Sequence, residues 1–151
     1  IANLITSGSV SKNRNKIPRI VWLSFVSAVV MTAWDLVIDP YLSGPTQSAW
    51  VWESVGQYFG IPIQNFGGWL LTTFTIYFLY LLFESKIPCR YNSLTKRIMI
   101  MPLLAYGAIM ISNIIPGEPP ALRLIGPIVM GIPLCIALYR LWIHGRISNP
   151  A

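Results

Sequence analysis

The sequence predicts an all-α, polytopic membrane bundle with about four transmembrane helices and an aromatic interfacial or re-entrant segment after the first. Of the 151 residues, 54% are hydrophobic and only 11% are charged, and the mean hydropathy is +0.59. A soluble domain carries about 25% charged residues, so an ordinary soluble protein is excluded. The net charge of +6 comes from basic residues scattered between apolar stretches. That distribution indicates membrane-flanking loops rather than a nucleic-acid-binding surface.

Four apolar stretches approach the roughly 20 residues that a helix needs to cross a bilayer. They are residues 20–38, 69–83, 98–115 and 125–143. Together they define a membrane domain over residues 20–143. Residues 1–19 are interpreted as a basic cytoplasmic flank, and residues 144–151 as a cytoplasmic tail. Because the chain begins with Ile1 rather than Met, we expect a fragment that lacks N-terminal spans.

The basic residues fall on one side of the membrane if the spans alternate in direction. Basic clusters precede the first span, separate the second span from the third, and follow the fourth, whereas Arg123 alone lies on the opposite side. Cytoplasmic loops are enriched in Lys and Arg. The sequence therefore predicts an integral membrane protein with the loop of residues 39–68 outside the cytoplasm and the C-terminus inside it.

Asp35 and Asp39 lie at the end of the first apolar stretch, in TAWDLVIDPYLSG, where a carboxylate is costly. Residues four apart share one face of a helix, and Pro40 predicts that this helix ends at Asp39. Burial, mutual repulsion and the helix dipole all favour a neutral acid, so we expect at least one of the pair to be protonated near neutral pH. Two structural alternatives stay open: Asp39–Pro40 is a common turn opening, and Asp35 can form an ion pair with an arginine.

The aromatic segment, residues 40–68, is too long for a simple turn. Its principal aromatic residues are Trp50, Trp52, Tyr58, Phe59 and Phe66, and Trp69 lies just beyond it. Interfacial belts are rich in Trp and Tyr, which is the simpler explanation for any single one. Aromatic faces also stabilise cations, by roughly 2 kcal/mol or more where water is excluded. An acid beside such faces suits protonation of an alkene. Gly60, Gly67 and Gly68 are expected to permit tight backbone turns.

The stretches WDLVIDP and WVWESVGQYFGIPIQNFGGWLL resemble the membrane-bound carotenoid biosynthesis family, which includes CruF-type carotenoid hydratases and bisanhydrobacterioruberin hydratases. The resemblance runs from about Ala33 onward and is strongest from Trp34 to Leu71. Relatives have further spans before the aspartate motif, and their aromatic motif opens with Gly where this chain has Ser48. The resemblance implies a hydro-lyase of a prokaryotic plasma membrane that adds water to the terminal double bond of an acyclic carotenoid, without a metal or redox cofactor.

Within that resemblance, Asp35 is the expected proton donor, and Asp39 is its charge partner or the group that orients water. Glu53 is an alternative acid, and Gln64 and Asn65 are expected to hold the water. The residues expected to line the polyene end are Trp34, Trp50, Trp52, Tyr58, Phe59, Phe66 and Trp69. The expected partners are the acyclic carotenoid, the lipid bilayer and other enzymes of the carotenoid pathway, with no nucleic acid.

Other functions remain compatible with the sequence. A cyclase or isomerase of the carotenoid end group would use the same acid and the same cation. A non-catalytic carotenoid- or lipid-binding membrane subunit would keep Asp35 only for helix pairing. A proton-coupled transporter is less favoured, because four spans with one acid pair offer little of a proton relay.

Overall fold

The computed structural model describes residues 1–7, 17–87, 96–115 and 118–147, and each regular element in these ranges is a helix. The helices are α1 (Ala2–Ser7), α2 (Ile17–Ser43), α3 (Ile63–Lys86), α4 (Lys96–Ile114), α5 (Leu122–Val129) and α6 (Gly131–Ile147). The predicted all-α membrane bundle is confirmed. Residues 8–16 of the predicted basic flank, the connection 88–95, residues 116–117 and the end of the predicted tail, 148–151, lie outside the described residues.

Three helical stretches are long and apolar enough to cross a membrane. They are Ile17–Ser43, Ile63–Lys86 and Leu122–Ile143, the last of which joins α5 to most of α6. A shorter apolar helix covers Ile100–Ile114. Lipid offers no hydrogen-bond partners, so a spanning backbone must pair with itself, and helices achieve this within one segment. The chain is therefore an integral membrane protein.

Hydroxyl side chains inside these apolar helices bond to the backbone of their own helix. Ser24 donates to the carbonyl of Ile20 at 2.8 Å, and Thr73 donates to that of Trp69 at 2.6 Å. Both are bonds to the carbonyl four residues earlier, a local pattern that satisfies a hydroxyl without a tertiary partner. Such residues therefore do not interrupt the apolar helices.

The centre of the bundle is α2, which contacts α3 most extensively and also packs against α1, α4 and α5. The Tyr106 hydroxyl of α4 donates to the carbonyl of Val30 at 3.0 Å. Gly126 of α5 allows a close approach, because a Cβ added there would lie 2.7 Å from Cγ1 of Ile114 and 3.7 Å from that of Val37. Small residues commonly bring membrane helices together in this way.

The short helix α1 packs into the bundle. Its Leu4 is buried in an apolar cluster with Leu103, Ala137 and Leu141, from α4 and α6. These residues were assigned to a basic flank by the sequence analysis, which did not predict a helix there. Residues 1–7 thus contribute to the core.

The prediction that Pro40 ends the first helix at Asp39 is wrong, because α2 continues through Pro40 to Ser43. Proline has no backbone N–H, so the carbonyl four residues earlier, that of Leu36, loses its helical partner. Tyr58 supplies the replacement, since its hydroxyl donates to the carbonyl of Leu36 at 2.8 Å. A proline is tolerated inside a membrane helix where another group satisfies the freed carbonyl.

Candidate active site

The two aspartates lie on α2 and are buried, with 8% of Asp35 and 2% of Asp39 exposed. The first turn of α3 brings Asn65 to them. Its Nδ2 donates to Oδ2 of Asp39 at 2.7 Å and to Oδ2 of Asp35 at 3.3 Å. An amide nitrogen carries two hydrogens, so one side chain can serve both carboxyl groups. Asn65 therefore bridges the acid pair, and it does so without adding charge.

The two carboxyl groups have unequal surroundings. Asp39 has the shorter bond to Asn65 and also interacts with the side chain of Trp50. Its second oxygen, Oδ1, is buried and has no hydrogen-bond partner among the described residues. Among the described residues, the partner of Asp35 is Asn65, through the longer bond, and Asp35 is the more accessible of the two acids. The partner of Asp35 within the described chain is thus an amide and not an arginine.

The start of α3 explains why Asn65 reaches the acids. Pro62 has an extended backbone, with φ −64° and ψ 134°, and the helix begins at the next residue, Ile63. The helix therefore starts before the predicted span of residues 69–83. Because consecutive residues of a helix point in different directions, Asn65 is half-buried against α2 while Gln64 is exposed. The two predicted water-holding residues are separated by this geometry.

A tight turn over residues 56–61 precedes α3. The amide of Gly56 donates to the carbonyl of Gly60 at 2.8 Å, and that of Ile61 donates to the carbonyl of Tyr58 at 2.8 Å. A Cβ at Gly56 would lie 2.0 Å from the backbone carbonyl of Ile61, and Gly60 has φ +84°. Only glycine suits either position. The completely buried Ile61 anchors the turn.

This turn holds Tyr58 among other aromatic side chains. Its ring lies edge-on to Phe59 at 4.7 Å and to Phe66 at 5.3 Å between centroids, and Phe66 is buried. Edge-to-face pairs at such distances are favourable. Burial raises the pKa of Tyr58 to about 12. The hydroxyl therefore remains a donor to Leu36 at any physiological pH.

The remaining predicted residues are less tightly grouped. Glu53 and Gln64 are exposed. Trp50, Phe59 and Trp69 each expose 40% of their surface. Trp34 and Trp52 are half-buried, and the indole nitrogen of each is buried without a partner among the described residues. The structure thus brings Asn65 and Trp50 to the acid pair. It also groups Tyr58, Phe59 and Phe66, and this aromatic group is joined to α2 at Leu36.

Of the three glycines predicted to permit tight turns, one lies in a turn and two lie in a helix. Gly60 occupies a turn, as its positive φ requires. The turn prediction is wrong for Gly67 and Gly68, which lie inside α3 with open space where a Cβ would stand. The start of α3 at Ile63 places both within its second turn.

Three tyrosines near the site were not predicted from the sequence. Tyr77, Tyr80 and Tyr106 line a cavity with Trp34 that lies between α2, α3 and α4 and is also bounded by residues 1–3 at the start of α1. The only signal in the sequence was the pair at positions 77 and 80, which are neighbours on one helix face. Tyr106 comes from a different helix, so the group is visible only in the fold.

The family of the chain follows from its similarity to known proteins. A family model described as carotenoid biosynthesis protein matches residues 1–138. The chain belongs to the carotenoid biosynthesis protein family. The resemblance seen in the sequence is confirmed, and the match extends it to the residues ahead of Ala33. No curated protein and no solved structure gives a match. Apolar helices suit a carotenoid biosynthesis protein, because carotenoids are polyenes that dissolve in lipid.

Proposed function

We propose that this carotenoid biosynthesis protein adds water to the terminal double bond of an acyclic carotenoid by acid catalysis. The observation that carries the proposal is the buried pair Asp35 and Asp39, bridged by Asn65. An alkene is a very weak base, so a proton must come from an acid that is well placed and shielded from water. Two buried carboxyl groups that share one neutral partner offer such an acid.

Asp35 is the proton donor in this mechanism. The 2.7 Å bond from Asn65 stabilises negative charge on Asp39, whereas the 3.3 Å bond to Asp35 does so less. One carboxyl group of a close pair holds the proton when both cannot ionise together. Asp35 is also the more accessible group. It transfers its proton to the terminal carbon–carbon double bond, and the electron pair of that bond forms the new C–H bond.

The remaining steps capture the tertiary cation left by protonation. The rings of Tyr58 and Phe66 contact each other, and Tyr58 is bonded to Leu36, the residue after Asp35. Such aromatic faces stabilise positive charge by roughly 2 kcal/mol or more in a dry site. A water oxygen then bonds to the cationic carbon. The proton that this water loses passes to a carboxylate, either Asp35 or the unpaired Oδ1 of Asp39. The sum is one water added, with the acid pair restored.

A second candidate function is a non-catalytic carotenoid-binding subunit. It is favoured by the position of the pair at the extensive α2–α3 contact, where Asn65 also serves to join the helices. Neither aspartate lines the cavity of about 550 Å³ beside α5 and α6 or the cavity of about 500 Å³ beside α3 and α4. Hydrogen bonds between membrane helices stabilise helix contacts by about 0.6 kcal/mol each on average. The two bonds of Asn65 can therefore stabilise the α2–α3 contact without any catalytic role for the acids.

Expression of the full-length gene in a host that accumulates lycopene separates the two functions. Mass analysis of the pigment should show the addition of one water for the wild type. Asp35→Asn and Asp39→Asn should each reduce this product at least a hundredfold, within the range that general acid–base catalysis contributes. Glu118→Gln is the matched control, because it makes the same chemical change at an exposed acid that bonds to Thr46.

Infrared spectra near neutral pH test the state of the pair directly. The wild type should show the C=O band of a protonated carboxyl group, and Asp35→Asn should remove it. Hydration by both asparagine variants at the wild-type level contradicts the mechanism. An unchanged pigment that co-purifies with intact wild-type protein supports the binding subunit instead.

A further inference from the structure

We infer that the aromatic cavity between α2, α3 and α4 binds the polyene chain of the substrate, with the chain end directed toward Asp35. This inference deepens the proposed function and rests on it for the identity of the reacting end. The cavity has a volume of about 500 Å³. Ligand sites in helical bundles lie between helices and have volumes of about 300–1,000 Å³.

The lining of the cavity suits a conjugated hydrocarbon. Four aromatic side chains contribute, Trp34 from α2, Tyr77 and Tyr80 from α3, and Tyr106 from α4. Aromatic rings pack favourably against another planar π system. Besides the three tyrosines and Trp34, the polar side chains in the lining are Asn3 and Ser27, and the Tyr106 hydroxyl is already bonded to the carbonyl of Val30. The cavity therefore offers ring faces without requiring a polar ligand.

The position of the cavity along α2 connects it to the acid pair. Its lining on this helix extends from Leu23 to Trp34, a length of about 16 Å at 1.5 Å per residue. Met31 belongs to that lining and lies four residues before Asp35, so the two side chains are neighbours on one helix face. Asp35 itself does not line the cavity. A chain lying along α2 would thus end within one helical turn of the acid.

The second large cavity is the alternative location. It lies against α2, α5 and α6, measures about 550 Å³, and includes Phe25 as its one aromatic side chain within a largely aliphatic lining. Ser27 of α2 lines the aromatic cavity. Val29, two residues later on the same helix, lines the second cavity. Residues two apart on a helix do not face each other. A saturated lipid chain matches the aliphatic cavity, and the polyene matches the aromatic one.

Binding of lycopene to the purified full chain in phosphatidylcholine nanodiscs tests the inference. Lycopene is achiral and gains circular dichroism in its visible bands only when a chiral site holds it. The wild type should show this induced signal. Ser27→Phe, which fills the aromatic cavity, should weaken binding at least tenfold, and Val29→Phe, its matched control on the other side of α2, should not. Tyr80→Leu is a second variant at a side chain that is 58% exposed, and it should weaken binding without unfolding the bundle.

The outcomes separate this inference from the proposed function. Asp35→Asn should keep the induced signal and lose hydration. A wild type that shows the signal and makes no hydrated pigment refutes the reaction and supports the binding site. Hydration and signal that survive both Ser27→Phe and Tyr80→Leu refute the aromatic cavity and leave the reaction standing. Loss of the signal in Val29→Phe alone assigns the polyene to the aliphatic cavity and overturns the inference.

Discussion

The hydroxyl of Tyr58 donates a 2.8 Å hydrogen bond to the carbonyl of Leu36, the group whose helical partner Pro40 cannot supply. The bond joins the turn before α3 to the interior of α2. Leu36 lies between Asp35 and Asp39 in the sequence, so this bond fixes the backbone that carries both acids. The proline that was expected to end the helix is instead accommodated inside it by the side chain of Tyr58, which lies 22 residues after the carbonyl of Leu36 to which it donates.

Tyr58→Phe should destabilise the protein by about 1–3 kcal/mol, because it leaves the part-buried Leu36 carbonyl without a donor. Unfolding in mixed micelles measures the change. Tyr41→Phe is the matched control, since the Tyr41 hydroxyl accepts an exposed hydrogen bond from Gln47. Equal stability of the two variants would show that the Leu36 carbonyl does not need Tyr58.

The same hydroxyl predicts a dependence of stability on high pH. Burial raises the pKa of Tyr58 in the folded protein to about 12 from the ordinary value of 10.0. The neutral phenol is thus favoured by folding, and its contribution is complete below pH 10.0 and is lost as the pH rises through about 12. Tyrosinate absorbance of the wild type minus that of Tyr58→Phe should titrate near 12. A difference curve centred near 10.0 would contradict the buried geometry.

Asn65→Leu should destabilise the α2–α3 contact by about 1–3 kcal/mol, because both carboxyl groups lose their shared donor. Gln64→Leu makes the same substitution at the exposed neighbour and should change stability by less than about 0.5 kcal/mol. Unfolding in mixed micelles compares the two. If Asn65→Leu is as stable as Gln64→Leu, the bridge is not a significant part of the helix contact.

The helical class and the apolar character of the long helices were predictable from the sequence, because both depend on composition within one segment. Spacing within one helix likewise placed Asp35 and Asp39 on the same face. The sequence did not predict Asn65 as the bridge, since that contact joins residues 26 and 30 positions apart. The continuation of α2 past Pro40 was missed for the same reason. A proline's effect on a helix depends on whether a distant donor reaches the freed carbonyl, and local propensity holds no information on Tyr58.

Two glycine substitutions should have opposite effects. Gly56→Ala should disrupt the turn, because a Cβ there would lie 2.0 Å from the backbone carbonyl of Ile61 and the backbone must move. Gly67→Ala meets no atom within 4 Å and should stabilise α3 by up to about 1 kcal/mol through helix propensity. Thermal unfolding of both variants measures the contrast, and hydration should fall only in Gly56→Ala. Stabilisation by both alanines would mean that the turn over residues 56–61 is not closed.

Single-cysteine labelling should establish the orientation of α3. This helix has 24 residues, or about 36 Å at 1.5 Å per residue, which is enough to cross a bilayer core of about 30 Å. Val55 is 95% exposed before it and Ile87 is 48% exposed after it. With Cys89 and Cys135 replaced by Ser, a membrane-impermeant maleimide on intact cells should label Val55→Cys, whereas Ile87→Cys should react only after permeabilisation, since the basic residues that follow α3 favour the cytoplasmic side. The reverse pattern would invert the predicted orientation, and labelling of both on intact cells would show that α3 does not span the membrane.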